Sequence, residues 1–257
     1  MTNDPNLNKL LLARIKRYLP ADDLYNSGLE TFFLGGNFLN LDTEPNDIDI
    51  FPCPEDEQFT RTINNTRLLS QTSNARTLKS TNSKLTLQLC NFHFNCLEDL
   101  VDSFDFSHVQ IGARISLYKN IDEIAVLKES QITKAILLEE ESAKISLDQL
   151  YYSKDWASSK LTGEINYTGS NYPLSSLIRL PKYLIKKKSP PSQTLPRADY
   201  IRLLIPILND LIQRGFKSKE DFKDQLDAVD ISLAEDASPE NWATLFNLLI
   251  KAGNIKA

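Results

Sequence analysis

Two adjacent glycines constrain the fold of this chain more than any other feature. They lie in the stretch FFLGGNFLNLDTEPNDIDIFP, residues 32–52, and Gly35 and Gly36 are two of only eight glycines in the chain. The apolar residues before them predict a strand over Thr31–Leu34, and a short helix is predicted to begin near Asn37. Such a helix start presents bare backbone amides, and glycine lets a phosphate approach them closely. The alternative is a plain strand-to-helix turn that requires a positive φ.

Two aspartates alternate with isoleucine in a second strand, predicted over Asp47–Phe51. On a strand, Asp47 and Asp49 point to one face while Ile48 and Ile50 point to the other. Two carboxylates on one half-buried face repel each other and lose hydration, and a divalent cation removes both costs. Oxygen ligands suit Mg²⁺. The alternative is a solvent-facing edge strand.

The spacing between the two features joins them into one hypothesis. Ten residues, 37–46, separate the glycines from the start of the second strand. They are enough for a short helix and a return to the sheet, so the two strands are predicted to be neighbours. A phosphate-binding turn beside metal-binding carboxylates is the arrangement that metal-assisted phosphoryl transfer requires.

This pattern resembles the DNA polymerase β-like nucleotidyltransferase superfamily, which includes CCA-adding enzymes, poly(A) polymerases, aminoglycoside nucleotidyltransferases and synthases of cyclic nucleotide signals. The resemblance implies that Gly35 and Gly36 hold the triphosphate of an NTP, and that Asp47 and Asp49 bind two Mg²⁺ ions. Many members have serine after the glycines; Asn37 stands there in this chain and still offers a hydrogen-bond donor. The implied reaction transfers a nucleoside monophosphate from an NTP to an acceptor hydroxyl.

The resemblance also implies a third carboxylate on a neighbouring strand. The predicted strand LTLQL, residues 85–89, offers Gln88 rather than an acid. The next candidate is Asp105, which lies between the apolar residues Phe104 and Phe106. The alternative for Asp105 is a structural acid that caps a strand. The segments SFDFSHVQIG and RLPKYL look like those of a little-characterised, often phage-associated branch of the superfamily.

The nucleotide and acceptor contacts are predicted in the second half of the chain. By resemblance, Lys182 is a candidate for binding the triphosphate and Tyr183 for stacking on the base. The alternative is a solvated basic face with Tyr183 in the core. Seven basic residues and one acid occur from Arg179 to Arg202, which favours RNA, such as a tRNA 3′ end, as the acceptor. A protein side chain or a small molecule is the other possibility.

The predicted fold class is α+β. A nucleotidyltransferase core with a mixed sheet and flanking helices is expected over residues 1–128, followed by a helical half over residues 129–257. The composition, with 41% hydrophobic and 25% charged residues, is that of an ordinary globular protein. The other predicted elements are an opening helix after Asp4, a helix over Glu55–Ser70, a hairpin of Arg76–Leu78 with Leu85–Leu89, and a helix over Leu97–Asp102.

Composition also argues against several classes of function. The sequence has no apolar run of the roughly 18 residues that a membrane span needs, and no basic region precedes the first apolar stretch. Three cysteines without a CxxC pair, and two histidines, favour reduced thiols in a cytoplasmic protein over a zinc site. The net charge of −5 argues against a broad coat of polynucleotide. The competing function is a non-catalytic relative that binds a nucleotide or a partner protein, such as an antitoxin-like protein or a scaffold.

Overall fold

The computed structural model describes residues 4–54, 62–72, 74–119, 142–177, 179–180 and 197–215. The chain forms two compact units. The first contains Met1–Asp102 and Val109–Ser153, and the second contains Ser103–His108 and Lys154–Ala257. No helix in these described ranges is long and apolar enough to cross a membrane.

The described residues of the first unit form a seven-stranded mixed sheet and three α-helices. The helices are α1 (Pro5–Tyr18), α2 (Ala21–Asn26) and α3 (Leu97–Asp102). The strands are β1 (Thr31–Gly35), β2 (Asp47–Pro52), β3 (Thr66–Gln71), β4 (Ala75–Ser80), β5 (Thr86–Cys90), β6 (Ile111–Tyr118) and β7 (Lys144–Tyr152). A 3₁₀ turn, Gly36–Leu39, follows β1, and a second one, Ser107–Val109, precedes β6.

The strands lie in the order β3-β4-β5-β2-β1-β6-β7. The β2–β5 pair is parallel and all other pairs are antiparallel. One face of the central strands carries apolar side chains that are fully buried. These side chains are Phe32, Leu34, Ile48, Ile50, Leu87, Ala113 and Ile115. The opposite face carries the polar residues of β2.

Helix α1 begins where the sequence predicted. The Asp4 carboxylate accepts hydrogen bonds from the amides of Asn6 and Leu7, at 2.9 and 3.4 Å, and caps the helix. Leu11 and Ile15, one helical turn apart, are fully buried. The helix is therefore fixed by a local cap and an apolar stripe, both visible in the sequence.

Helix α3 lies on the sheet over Gly112. A Cβ atom at that position would lie 2.7 Å from Cγ2 of Val101 and 2.8 Å from Cδ1 of Leu97, so only glycine allows this close packing. Gly112 pairs with Gly35, which pairs with Asp49. Directly opposed residues share a face of the sheet, so α3 covers the same face that carries Asp49.

The second unit is helical in the part that the structure describes. It contains α4 (Lys154–Thr162) and α5 (Arg197–Gln213). Leu203, Ile207 and Leu211 are buried at the helical spacing that the sequence predicted. Phe106 forms an isolated β-bridge with Tyr167, so residues 103–108 join this unit although they precede β6.

The α+β class and the helical character of α5 are confirmed, and so are the β4–β5 hairpin and α3. Two secondary-structure predictions were wrong. Residues 66–71 form strand β3 rather than the end of a helix, and residues 144–152, expected to be helical, form strand β7. Residues 62–65 form a loop and turn instead of helix, and the start of that predicted helix, residues 55–61, lies outside the described residues, as does the boundary predicted at residue 128.

Candidate functional site

The glycine turn, formed by Gly35 and Gly36, lies beside the aspartate pair, Asp47 and Asp49. Strand β1 ends at Gly35, and β2 begins at Asp47 and runs antiparallel to it. In this register Gly35 is directly opposite Asp49, which places their Cα atoms about 5 Å apart. The structure therefore brings together the two features from which the sequence predicted a nucleotide site.

The backbone conformation at position 36 favours glycine. Its φ of +73° lies in the left-handed region, whereas Gly35 is extended, with a φ of −148°. The helix predicted near Asn37 is a 3₁₀ turn of four residues. So short a turn has a small dipole, so an anion here would depend on individual N–H donors rather than on a helix dipole.

One such donor is the side chain of Asn37. Its Oδ1 accepts a hydrogen bond from the Thr43 hydroxyl at 3.4 Å. Its Nδ2 is buried and has no hydrogen-bond partner among the residues that the structure describes. A buried amide donor without a partner costs free energy, so this N–H₂ group is suited to an incoming acceptor such as a phosphate oxygen.

Asp47 and Asp49 occupy the face opposite the apolar core, as predicted. Both are half-buried, while the alternating Ile48 and Ile50 are completely buried on the other side. The two carboxylates are thus fixed on one face of a central strand. Two acidic oxygen donors at this position fit the ligand preference of Mg²⁺.

The charge of these carboxylates reaches a neighbouring thiol. The pKa of Cys90 is raised well above its usual value, first because the thiol is buried and then because Asp49 and Asp47 lie close to it. Cys90 ends β5, the strand that pairs with β2. The two aspartates are therefore close enough to Cys90 to oppose ionisation of its thiol.

Strand β5 places two neutral polar residues beside the aspartates. Across the parallel pair, Gln88 is in register with Asp49, and Thr86 with Asp47. Both are half-buried, while Leu87 between them is fully buried. The position next to Asp49 thus carries an amide instead of a third acid. In the described ranges, no three His, Cys, Asp or Glu side chains are grouped closely enough to hold a metal ion.

Asp105, the predicted third acid, belongs to the second unit and has a cationic partner there. Its carboxylate is buried and forms an ion pair with Arg179, with Nη2 and Oδ2 2.6 Å apart. Its backbone carbonyl accepts a hydrogen bond from the amide of Thr168 at 2.9 Å. These contacts give Asp105 a structural role within its unit, and its role as a metal ligand stays a prediction.

The predicted nucleotide contacts Lys182 and Tyr183 lie outside the described residues, as do Lys186, Lys187 and Lys188. Of the basic segment, Arg202 is engaged within its unit. It donates to Oδ1 of Asn166 at 2.6 Å and to the carbonyl of Ile165 at 2.8 Å. Arg179 and Arg202 therefore both make contacts within their own unit.

The sequence did not reveal the support of the glycine turn by α1. Arg14 donates a hydrogen bond from Nη2 to the Thr43 carbonyl at 2.6 Å, and its guanidinium lies 5.8 Å from the centre of the Phe38 ring. Phe38 directly follows Asn37 in the 3₁₀ turn. An arginine on the inner side of an amphipathic helix was the available signal, since such a residue needs polar partners when it is partly buried.

Comparison with known proteins adds little. No family model matches the chain, and no curated protein sequence matches it significantly. Among solved structures, the chain is similar to the Thermotoga maritima CCA-adding enzyme in complex with tRNA, with a TM-score of 0.40 and 11% sequence identity. The match covers 80% of this chain but 43% of that one, so the matched part of this chain spans less than half the length of the enzyme. At this TM-score the likeness assigns no function to the chain.

Proposed function

We propose that this protein is a metal-dependent nucleotidyltransferase, which moves a nucleoside monophosphate from an NTP to an acceptor hydroxyl and releases pyrophosphate. The observation that supports this proposal is the pairing of Gly35 with Asp49. It sets a glycine turn beside two carboxylates on one face of the sheet, and the turn carries an amide donor, Nδ2 of Asn37, that has no partner among the described residues.

Each residue of this site has a proposed role in binding. Gly35 and Gly36 leave the turn without side chains, so the triphosphate can approach the backbone. Asn37 donates a hydrogen bond to a phosphate oxygen. Asp47 and Asp49 hold two Mg²⁺ ions, which when bound lower the pKa of the attacking hydroxyl and neutralise charge on the triphosphate.

The proposed reaction forms one bond and breaks another at the α-phosphorus. The acceptor oxygen bonds to the α-phosphorus, the bond from that phosphorus to the oxygen bridging to the β-phosphate breaks, and pyrophosphate leaves with the electron pair. The hydroxyl proton passes to a carboxylate. Asp105 is our candidate for that third carboxylate.

The acceptor is proposed to be RNA, with a tRNA 3′ end as the specific candidate. Lys182 and Tyr183 are proposed to bind the triphosphate and the base. The basic segment from Arg179 to Arg202 supports this choice through its charge, because phosphate contacts dominate the affinity of proteins for nucleic acids.

A second candidate is a catalytically inactive protein of the same fold that binds a nucleotide or a partner. Two observations favour it. Gln88 stands in register with Asp49 where an acid would complete a ligand set, and Asp105 is ion-paired with Arg179. Such a protein binds NTP at the glycine turn without turning it over.

One experiment separates the two candidates. The protein is incubated with each of four α-labelled NTPs, Mg²⁺ and a pool of tRNA, and both pyrophosphate release and label transfer are measured. The nucleotidyltransferase predicts both signals with the wild type and neither with Asp49→Asn. NTP binding without pyrophosphate release from any nucleotide supports the inactive nucleotide-binding protein. The absence of NTP binding rejects the nucleotidyltransferase and leaves only an inactive protein that binds a partner.

A further inference from the structure

Arg14 is fixed between helix α1 and the loop that follows the glycine turn. Its Nη2 donates to the Thr43 carbonyl at 2.6 Å, and its guanidinium lies 5.8 Å from the centre of the buried Phe38 ring. Burial lowers the pKa of Arg14, with nearby Glu44 and Tyr18 acting in the opposite direction. Arginine nevertheless stays charged, because its pKa starts so high. The contact with Thr43 is thus a charge-assisted hydrogen bond that anchors the loop.

Thr43 connects this anchor to Asn37. While its carbonyl accepts from Arg14, its hydroxyl lies 3.4 Å from Oδ1 of Asn37 and 3.3 Å from the carbonyl of Asn40, and its single hydrogen is shared between these two acceptors. The amide of Thr43 also donates to the Asn40 carbonyl at 3.3 Å. Thr43 is therefore held from both sides, and its hydroxyl faces one end of the Asn37 carboxamide.

The orientation of this carboxamide decides what the turn offers to an anion. With Oδ1 toward Thr43, the Nδ2 donor points away from it, and Nδ2 is buried without a partner in the described part of the chain. A rotation by 180° would present the carbonyl oxygen instead, which repels a phosphate. A device that fixes the orientation therefore sets the affinity of the turn for phosphate.

We propose that Arg14 and Thr43 are positioning residues for nucleotide binding, which act through Asn37. This inference rests on the proposed function, because it assigns the Asn37 donor to the triphosphate. Arg14 anchors the Thr43 carbonyl, the Thr43 hydroxyl holds Oδ1 of Asn37, and Nδ2 is left ready for a phosphate oxygen. Neither Arg14 nor Thr43 contacts the nucleotide itself.

The test measures the affinity of each variant for α,β-methylene NTP analogues with Mg²⁺ by calorimetry. Thr43→Val removes the hydroxyl and keeps the shape and the carbonyl, so affinity should fall about tenfold. Thr43→Ser keeps the hydroxyl and should bind like the wild type. Arg14→Met should weaken binding in the same direction, while Arg17→Met, at an exposed position on the same helix, should not.

A double-mutant cycle separates this role from general support of the fold. Asn37→Ala should weaken binding at least as much as Thr43→Val, and the double variant should bind no more weakly than Asn37→Ala alone. Additive losses, or wild-type affinity in Thr43→Val, would overturn the proposal while leaving the proposed function intact. If the wild type binds none of the four analogues, the proposed function fails and this inference with it. If Arg14→Met does not fold, the Thr43 variants still decide the outcome.

Discussion

Asp49 is an acidic residue on the central strand of the sheet, and Ile48 and Ile50 on the opposite face of that strand are fully buried. It is half-buried, and Asp47 lies on the same face two residues away. If this pair binds Mg²⁺, Asp49→Asn should reduce label transfer by at least about a hundredfold, the scale on which charge-stabilising groups contribute to catalysis. The same change relieves repulsion between the two carboxylates, so the metal-free variant should be as stable as the wild type or more stable.

The matched control for this prediction is Asp42→Asn. Asp42 is an exposed aspartate in the loop between the glycine turn and β2, so its replacement should leave transfer unchanged. Initial rates and thermal unfolding of the metal-free proteins provide both measurements. Wild-type activity in a folded Asp49→Asn protein would remove the metal role from this pair.

Cys90 provides a prediction about pH. Burial, followed by the charges of Asp49 and Asp47, raises the pKa of its thiol above the value of 9.0 for an unperturbed cysteine. The folded protein keeps this thiol neutral while the unfolded chain ionises, so the stabilising contribution is complete below pH 9 and is lost as the pH rises above it. The free energy of unfolding should then fall by up to about 1.4 kcal/mol per pH unit from this group alone.

Denaturant titrations between about pH 8 and pH 11 measure this slope. Cys90→Ala should show a shallower decline than the wild type, whatever its absolute stability. Cys96→Ala, at a half-buried position, controls for the loss of a thiol as such. Equal slopes in Cys90→Ala and the wild type would show that Cys90 does not titrate differently on unfolding.

At the scale of elements, the glycine turn has two separable properties, its backbone conformation and its open surface. Gly36→Val places a branched side chain at a φ of +73° and beside the proposed phosphate position, so both folding and NTP binding should suffer. Gly163→Val is the matched control, because Gly163 has a φ of +70° and a Cβ there meets no atom within 4 Å. Calorimetry should show weaker NTP binding only for Gly36→Val, and equal affinity in both folded variants would contradict the phosphate-binding turn.

The second unit contains a hydrogen-bonded cluster that joins α5 to Tyr167. The Tyr167 hydroxyl donates to Oδ2 of Asp210 at 2.6 Å, and Nε of Arg214 lies 2.7 Å from Oδ1. Burial opposes ionisation of Asp210, but the hydrogen bonds from Tyr167 and Arg214 outweigh it, so the pKa of Asp210 is lowered. A lowered pKa means that this carboxylate stabilises the fold above its unfolded pKa and that the contribution is lost as the pH falls through its folded pKa.

Tyr167→Phe should therefore destabilise the second unit by about 1.5–3 kcal/mol at pH 7, the range for hydrogen bonds to a charged group. The loss should shrink in acid, once Asp210 is protonated. Hydrogen exchange of the α5 amides at pH 7 and thermal unfolding near pH 3 measure the two effects. Tyr118→Phe, at an exposed tyrosine of the first unit, is the control. An equal loss of stability in this variant would show that the hydrogen bond from Tyr167 to Asp210 contributes no additional stability.

The elements that the sequence failed to predict are the two edge strands of the sheet. Strands β1 and β2 and the β4–β5 hairpin lie between the two edges of the sheet, and their alternating or continuous apolar residues made them predictable. On β3, Leu68 and Leu69 are 52% and 48% exposed, so its position depends on the backbone ladder with β4 rather than on burial. No residue of strand β7 is fully buried. Strands held by backbone hydrogen bonds at an edge leave little trace in hydrophobic periodicity.

At the scale of the whole molecule, the part of the site that could be predicted is the part formed by neighbouring residues in the chain. Gly35, Gly36, Asp47 and Asp49 all lie within one strand–turn–strand segment, so their spacing implied their proximity. The pairing of Gln88 with Asp49 depends on which strand lies beside β2, and the Arg14 contact with Thr43 depends on how α1 packs. Contacts of this kind follow from tertiary structure, and no local pattern specifies them.

The distribution of charge gives the last prediction, which concerns the acceptor. The chain has a net charge of −5, yet Lys186, Lys187 and Lys188 form a local basic cluster. If they contact RNA, reversing all three to glutamate should weaken RNA binding and reduce the slope of log affinity against log salt by about 0.7 for each lost contact to single-stranded RNA.

Reversal of Lys9, Lys16 and Arg17, three exposed residues of α1, changes the net charge equally and is the matched control. Both variants should retain NTP affinity, because neither set belongs to the glycine turn. Fluorescence anisotropy with labelled tRNA at two salt concentrations measures RNA affinity in the wild type and both variants. A loss of affinity only in the Lys186, Lys187 and Lys188 variant supports an RNA acceptor, and an equal loss in both variants shows an effect of net charge alone. Salt-insensitive binding in all three proteins favours a small-molecule or protein acceptor.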